Sequence, residues 1–209
     1  RTRIPRGAPM ATGTSIAICC STFHRHEGLD ALLASIEELD LGSPVPDITI
    51  IVVNNDPEDR DVEGICNEAG KSSRFPIVYL EEEQRGLSFP RNRALEHAAD
   101  TFDFIAFIDD DSTADQHWLR KLVDMQARSN ADVVTGPVAP VYEKEPPDWI
   151  VDGGFFAPRS LPEGTTLRHA FTNNVLIDCQ VLRRTGVRFD PRFALIGSED
   201  THFFRNLVK

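Results

Sequence analysis

The stretch Ile105-Ala106-Phe107-Ile108-Asp109-Asp110-Asp111-Ser112 places three consecutive aspartates at the end of an apolar run. The apolar run predicts a buried β-strand. Carboxylates this close repel one another, and some would stay protonated unless a cation or a bound ligand compensated them. Oxygen donors without a neighbouring thiolate are typical of sites for Mg²⁺, Mn²⁺ or Ca²⁺. The alternative is a solvated acidic turn, because aspartate is common in turns.

The chain before this stretch alternates between apolar runs and amphipathic segments. Four runs predict strands, at residues 15–20, 48–53, 77–80 and 104–108. Apolar residues at helical spacing follow Glu27, recur from Val62 to Ala69, and return after Pro90, a residue that suits a first helical turn. The order βαβαβαβ predicts an α/β fold of Rossmann type, with a mainly parallel sheet flanked by helices. Ligands bind such sheets beyond the carboxyl ends of the strands.

Polar residues follow three of the predicted strands, where a ligand would lie. These clusters are Ser21, Thr22, Phe23, His24 and Arg25; Asn54, Asn55 and Asp56; and the three aspartates. In a parallel sheet they would meet at one edge, which suits a nucleotide whose phosphates are held by a metal. The chain contains neither Gly-x-Gly-x-x-Gly after its first strand nor Gly-x-x-x-x-Gly-Lys-Ser/Thr. Dinucleotide-dependent oxidoreductases and P-loop enzymes are therefore disfavoured.

Composition sets broader limits. At 209 residues and 41% hydrophobic content, the chain can bury one good core, and one domain is the simplest count. A net charge of −11 disfavours nucleic acid as a partner. The four cysteines show no framework spacing, so we expect reduced, mostly buried thiols in a cytoplasmic protein. No apolar run approaches the ~20 residues of a membrane span, no secretory leader is recognised, and residues 1–13 are predicted to be a disordered tail.

The second half of the chain is less regular. A predicted strand at 131–136 is followed by a segment rich in proline and glycine, which excludes long helices and strands. Its aromatic residues Trp149, Phe155 and Phe156 more often pin such a loop to the core, and the alternative is a sugar-stacking platform. A helix is predicted at 201–209. Glu199 and Asp200 lie near its N-terminus, where acidic residues also serve as ordinary helix-stabilising groups.

The histidines suggest no zinc site from sequence. His24 and His26 follow a strand, and we interpret them as polar loop residues in preference to metal ligands. His202 lies two residues beyond Asp200 and would project from a different face of the helix.

Taken in order, these motifs resemble those of the family-2 glycosyltransferases with a GT-A fold, over residues 14–209. The matching segments are 15–25, 50–56, 86–92, 109–111, 172–174, 189–190 and 199–200. The resemblance implies a nucleotide-binding half at 14–112 and an irregular acceptor-side half at 113–209. Relatives typically continue beyond the acidic-pair helix, so a further C-terminal segment is expected. Asn54 stands where the family usually has aspartate, which would alter the contact to the nucleotide base.

The resemblance also implies roles for particular residues. The residues expected to bind the nucleotide sugar are Ser21, Thr22, Phe23, Arg25, Asn54, Asn55, Asp56, Gly86, Arg91, Asn92, Asp109 and Asp110. Asp111 and Asp109 are implied as ligands of Mn²⁺ or Mg²⁺. Asp200, with Glu199, is implied as the catalytic acidic pair.

The implied activity is inverting, metal-dependent transfer from a nucleoside-diphosphate sugar to an acceptor hydroxyl. The acceptor would be a glycan, a lipid-linked molecule or a small molecule, in bacterial polysaccharide or glycoconjugate assembly. The expected location is cytoplasmic, with peripheral association at the inner face of the membrane as an option.

Two other functions stay open. Asp109-x-Asp111-x-Thr113 matches the nucleophile motif of haloacid-dehalogenase-like phosphohydrolases, although that motif normally follows the first strand of its fold. An inactive nucleotide-sugar-binding domain is the other alternative.

Overall fold

A computed structural model of the chain describes residues 13–142, 144–157 and 161–207. The strands of this part of the chain are β1 Ser15–Thr22, β2 Asp47–Asn54, β3 Ile77–Glu81, β4 Phe104–Ile108, β5 Val133–Thr135 and β6 Asn174–Asp178. The helices are α1 His26–Glu37, α2 Asp61–Gly70, α3 Ser88–Ala98, α4 Trp118–Ser129, α5 Asp148–Asp152, α6 Cys179–Thr185 and α7 Glu199–Leu207, with a 3-10 turn at Pro191–Phe193. The predicted disordered tail falls outside the described residues, except for Gly13.

The strands form one sheet in the spatial order β3-β2-β1-β4-β6-β5. Strand β1 is parallel to β2 on one side and to β4 on the other, and β3 is parallel to β2. The prediction of a mainly parallel α/β sheet flanked by helices is confirmed. Because the chain order reverses between β1 and β4, the carboxyl ends of β2, β1 and β4 border a crevice at one edge.

Alternate residues of each central strand enter two separate hydrophobic cores. In β1, Ile16 and Ile18 pack with α1, α2 and α4 on one face of the sheet. Ala17 and Cys19 pack with α3, α6 and α7 on the other face. Both faces are therefore covered, which explains why these strands are continuously apolar in sequence. The four cysteines are free and buried, as predicted.

The second half of the chain adds two strands in antiparallel pairings, of which the sequence indicated β5 but not β6. Strand β6 runs antiparallel to β4, and β5 runs antiparallel to β6. The strand predicted at 131–136 is shorter, at Val133–Thr135, and the helices α4 and α6 were not predicted. Between β5 and β6 the described residues form only the five-residue helix α5, in agreement with the density of proline and glycine. No described helix combines the length and apolar character needed to cross a bilayer.

Candidate functional site

The loops after β1, β2 and β4 meet at the edge of the sheet, as expected for parallel strands. The Asn55 backbone N–H donates to the Thr22 carbonyl oxygen at 2.9 Å, which joins the loops after β2 and β1. Arg25 donates to Asp110 Oδ1 at 3.2 Å and also pairs with Asp111, which joins the loops after β1 and β4. The three polar clusters therefore border one crevice.

The three aspartates differ in environment. The Asp110 side chain is buried, that of Asp109 is partly exposed, and that of Asp111 is 57% exposed. Burial raises the pKa of Asp109 to about 6, against the opposing effect of Arg91. Burial also raises the pKa of Asp110, although Arg25 opposes this. Negative charge is thus incompletely compensated within the protein, which is the condition under which a bound cation is stabilising.

Helix α1 packs directly against the loop after β4 that carries Asp109, Asp110 and Asp111, here called the aspartate loop. A Cβ atom at Gly28 would stand 2.6 Å from the carbonyl oxygen of Asp110. Only glycine lets the first turn of α1 approach this closely. The position of the aspartate loop therefore depends on α1 as well as on β4.

Arg91 in helix α3 connects the aspartates to the acidic pair of α7. Its side chain is 8% exposed, and its Nη1 donates to Asp200 Oδ1 at 3.0 Å and also contacts Glu199. The other terminal nitrogen, Nη2, lies 3.8 Å from Asp109 Oδ1. The family resemblance implies that Arg91 binds the nucleotide sugar. In the structure Arg91 lies between Asp109 and the acidic pair of Glu199 and Asp200.

The two acidic residues of the pair have different surroundings. The side chain of Asp200 is 15% exposed, and it accepts hydrogen bonds from the Thr172 backbone N–H at 3.2 Å and from Thr172 Oγ1. Burial raises the pKa of Asp200, while Arg91 and the Thr172 hydrogen bonds oppose the rise. Glu199 is more deeply buried, and its Oε2 has no hydrogen-bond partner among the described residues. Asp200 is therefore the member of the pair that is more open to a substrate.

Thr172 is a site residue to which the sequence analysis gave no individual role. It precedes Asn173 and Asn174 in one of the segments that carried the family resemblance. Its contact with Asp200 joins segments 28 residues apart, and only the folded structure shows that pairing.

The asparagines at the end of β2 and directly after it, Asn54 and Asn55, are committed to internal hydrogen bonds. Asn54 is fully buried, and its amide donates to the carbonyl oxygens of Asp56 and Asp59 at 2.8 and 3.0 Å. Asn55 accepts from the Gly86 N–H at 3.0 Å and donates to the Gln84 carbonyl at 2.7 Å. These side chains fix the shape of the loops around the crevice.

Gly86 and Asn92 anchor α3 to the segment before α7. A Cβ at Gly86 would stand 2.7 Å from the Cβ of Ala194, and the Gly86 φ angle is +124°. Asn92 exchanges two 2.8 Å hydrogen bonds with the backbone N–H and carbonyl of Phe189. These contacts hold α3, and with it Arg91, against the segment that leads into α7.

The remaining predicted donor-site residues line the β1 and β2 loops. Ser21 is partly exposed and Thr22 is buried. The ring of Phe23 carries the Arg85 guanidinium over its face at 4.6 Å from the centroid. The Asp56 carboxylate is partly exposed and lies beside the same loop.

The aromatic residues of the irregular segment are not pinned to the core. Trp149, Phe155 and Phe156 are 65%, 66% and 58% exposed. The ring of Phe155 contacts Trp149, and the ring of Phe156 contacts Tyr142. The expectation that these aromatics anchor the loop in the core is therefore wrong. They form an exposed aromatic surface.

Comparison with known proteins shows which family and which fold this chain resembles. Residues 17–186 match the model of the family described as "Glycosyl transferase family 2". The chain is 31% identical over 163 residues to the succinoglycan biosynthesis protein ExoM of Rhizobium meliloti, covering 77% of this chain and 51% of that protein. It is 28% identical over 142 residues to a glucosyl-dolichyl phosphate glucuronosyltransferase of Haloferax volcanii, covering 65% of this chain and 41% of that protein. The chain thus spans about half the length of these relatives or less.

The fold is also similar to that of a solved mannosyltransferase, PcManGT from Pyrobaculum calidifontis, in complex with GDP-Man and Mn²⁺. The TM-score is 0.71 at 16% sequence identity, covering 99% of this chain and 55% of that one. At this identity the likeness concerns the fold.

Proposed function

The chain belongs to glycosyl transferase family 2. We propose that it moves a sugar from a nucleoside-diphosphate sugar to an acceptor hydroxyl in one inverting, metal-dependent displacement. The observation that carries the proposal is the position of Arg91, which contacts Asp200 and lies 3.8 Å from Asp109. A carboxylate of the acidic pair and one of the three aspartates after β4 thus lie on either side of one guanidinium. Attack on a sugar whose diphosphate is held at the strand ends requires such an arrangement.

Asp111 and Asp109 would hold the metal ion. Their oxygen atoms are hard donors, and Asp111 is the most exposed of the three aspartates, which fits Mn²⁺ or Mg²⁺. When bound, such an ion neutralises the charge that develops on the departing diphosphate. The Mn²⁺ held by the similar mannosyltransferase supports this choice of ion. Arg25, which is paired with Asp110 and Asp111 in the structure, would then be available to the phosphate oxygens.

Asp200 would act as the base. It takes the proton of the acceptor hydroxyl while the acceptor oxygen bonds to the anomeric carbon and the bond from that carbon to the diphosphate oxygen breaks. A single carboxylate suffices for inversion, and general-base help of this kind typically contributes ~10²–10⁴-fold. The buried Glu199 contacts Arg91 and would hold its guanidinium in place beside Asp200.

The donor would lie across the loops after β1, β2 and β4. Phe23, whose ring carries Arg85 over one face, and the partly exposed carboxylate of Asp56 lie at the end of the crevice proposed to bind the nucleobase. Ser21, Thr22, Asn54, Asn55, Gly86 and Asn92 would shape this pocket through the backbone contacts described above. The nucleotide-binding experiment identifies the nucleobase of the donor.

The relatives' names indicate the wider process. One is a succinoglycan biosynthesis protein and the other acts on a glucosyl-dolichyl phosphate. We assign this chain to polysaccharide or glycoconjugate assembly, with a glycan, a lipid-linked molecule or a small molecule as acceptor and no role for nucleic acid. Its place would be in the cytoplasm, with peripheral contact at the inner face of the membrane.

The first test is nucleotide binding. Thermal unfolding is measured with UDP, GDP, dTDP and CDP, each with and without Mn²⁺, on the wild type and on Asp111→Asn. A ligand that binds only the native state stabilises it by about 2.7 kcal/mol at ~100 times its Kd. We expect one nucleotide to raise the midpoint when Mn²⁺ is present, and no rise in Asp111→Asn. The exposed substitution Glu96→Gln is the matched control and should behave as wild type.

Turnover then distinguishes the alternatives. Asp200→Asn should keep the nucleotide-dependent stabilisation but release no nucleoside diphosphate from the donor when acceptors are offered. Nucleotide binding without any sugar transfer would favour an inactive binding domain. No stabilisation by any nucleotide, together with hydrolysis of a phosphomonoester, would favour the haloacid-dehalogenase-like function.

A further inference from the structure

A second group of metal-ligating side chains lies on the other side of the β1 loop. Along that loop Arg25 turns toward the three aspartates, whereas His24 and His26 turn toward the loop after β2. Ligand atoms of His26, Asp59 and Asp61 all lie within 4.8 Å of one another. The donor set of nitrogen and oxygen differs from the all-oxygen set of the aspartate cluster.

Asp59 is the centre of this group. Its side chain is only 7% exposed, and its Oδ2 lies 2.8 Å from His26 Nε2 and 3.1 Å from His24 Nδ1. Two imidazole nitrogens from different residues thus converge on one carboxylate oxygen. Asp61, the first residue of α2, brings a second and exposed carboxylate to the same place.

His24 has a supporting carboxylate on its far side. Its second ring nitrogen, Nε2, lies 2.9 Å from Asp56 Oδ2. A neutral imidazole has one N–H donor and one lone pair, so it cannot donate to carboxylates through both nitrogens. A histidine that ligates a metal through one nitrogen commonly donates its other N–H to a carboxylate, which fixes the ring. Asp56 stands where that second carboxylate is expected.

The positive side chains of these loops are engaged elsewhere. Arg60, which separates Asp59 from Asp61, pairs with Glu81 at 3.0 Å. Arg25 pairs with Asp110 and Asp111. The carboxylates of Asp56, Asp59 and Asp61 therefore have no arginine or lysine partner among the described residues. A divalent cation would supply the missing charge.

We propose that His26, Asp59 and Asp61 form a second metal site, separate from the three aspartates after β4, that takes a borderline divalent ion of the Zn²⁺ class, with His24, which contacts Asp59, as a further ligand. Imidazole nitrogen with carboxylate oxygen suits such an ion. Ligand atoms at ~2.0–2.1 Å from a tetrahedral ion stand roughly 3.3–3.5 Å apart. The 2.8 and 3.1 Å contacts at Asp59 would open by a few tenths of an ångström, and the wider separations within the group, up to 4.8 Å, would close toward this distance.

The site would join the loops after β1 and β2, at the end of the crevice proposed to bind the nucleobase. Asp59 also accepts, through its backbone carbonyl, a hydrogen bond from the buried Asn54 amide at 3.0 Å. An ion at Asp59 would therefore hold the β2 loop against the β1 loop. Its role is to fix these loops, and binding of the ion requires neither nucleotide nor turnover.

The test is Zn²⁺ binding to the whole chain without nucleotide, measured by competition with a chromophoric chelator. We expect one equivalent to bind in the wild type and binding to weaken by more than about tenfold in His26→Gln and in Asp61→Asn. Asp111→Asn should bind as tightly as wild type, which separates this site from the aspartate cluster. His97→Gln, at an exposed histidine of α3, is the matched control and should also bind as wild type.

The metal-free thermal midpoints of the variants are measured alongside. Asp61 is exposed, so Asp61→Asn tests the site even if His26→Gln fails to fold. Undiminished Zn²⁺ binding in Asp61→Asn, or no binding in the wild type, would overturn the proposal. Because no nucleotide is present, neither result bears on the proposed sugar transfer.

Discussion

The Arg91 Nη1 atom lies 3.0 Å from Asp200 Oδ1, in a place where the arginine side chain is 8% exposed. The same guanidinium also contacts Glu199 and approaches Asp109. Loss of this one cation would leave two largely buried carboxylates without their main counter-charge. Arg91 is therefore central both to the stability of the acceptor-side half and to the proposed chemistry.

Replacing Arg91 should be strongly destabilising. Removing one partner of a buried ion pair typically costs about 3–5 kcal/mol, because the remaining charge is left buried and unpaired. We expect Arg91→Met to lower the free energy of unfolding by about that amount in urea titrations. Arg93→Met, two residues along the same helix and exposed, should change it by less than about 0.5 kcal/mol. Equal effects at the two positions would contradict the role assigned to Arg91.

The raised pKa of Asp109 predicts a particular pH dependence of stability. In the folded chain this pKa is about 6, whereas an unperturbed aspartate titrates near ~3.9. Between these values the folded state binds more protons than the unfolded state, so stability falls as pH rises through this window. The urea stability of wild type relative to Asp109→Asn, in buffer with a metal chelator, should therefore decrease from about pH 4 to about pH 6. A constant difference would show that Asp109 titrates normally.

The parallel half of the fold could be predicted because burial on both faces gives each strand a continuous apolar sequence. Ile105 to Ile108 is the clearest case, and the structure confirms it as part of the central strand β4. Strand β6 escaped prediction since its apolar content is only Val175 to Ile177. Its pairing with β4 depends on long-range contacts, such as Phe104 with Asp178.

The sequence predicted the separate segments of the site but not which residues of those segments contact one another. The acidic pair and the Arg-Asn segment were both recognised, yet nothing in the sequence joins Arg91 to Asp200 across 109 positions. The same limit applies to His24 and His26. Their partners Asp59 and Asp61 lie in the loop after β2 and at the start of α2, so the sequence favoured an ordinary polar loop where the structure shows a convergent cluster.

Gly86 should tolerate no side chain. An alanine there would have to keep φ at +124° and place its Cβ 2.7 Å from Ala194, which moves α3 away from the segment before α7. Backbone strain of this kind costs about 1–3 kcal/mol. Gly64→Ala is the matched control, because a Cβ at Gly64 meets nothing within 4 Å and the residue lies inside helix α2. Urea titrations should show Gly86→Ala destabilised and Gly64→Ala stabilised by about 0.4–1 kcal/mol.

Thr172 should set the pH at which Asp200 becomes an effective base. Burial raises the pKa of Asp200, and the Thr172 hydrogen bonds hold that rise in check by favouring the charged carboxylate. Thr172→Val removes the hydroxyl contacts at 3.2 and 3.3 Å, so the Asp200 pKa should rise further. A base is active only when it is deprotonated, and the acidic limb of the rate profile of sugar transfer should therefore move to higher pH.

The measurement is the pH profile of nucleoside diphosphate release for wild type and Thr172→Val. Thr101→Val, at an exposed threonine whose hydroxyl donates to the His97 carbonyl at 3.4 Å, should keep the wild-type profile. A Thr172→Val profile that is lower at every pH but unshifted would mean that Thr172 supports the fold of the site without tuning Asp200. A shift toward lower pH would contradict the assignment of Asp200 as the base, since loss of a hydrogen bond to a carboxylate cannot make it a stronger acid.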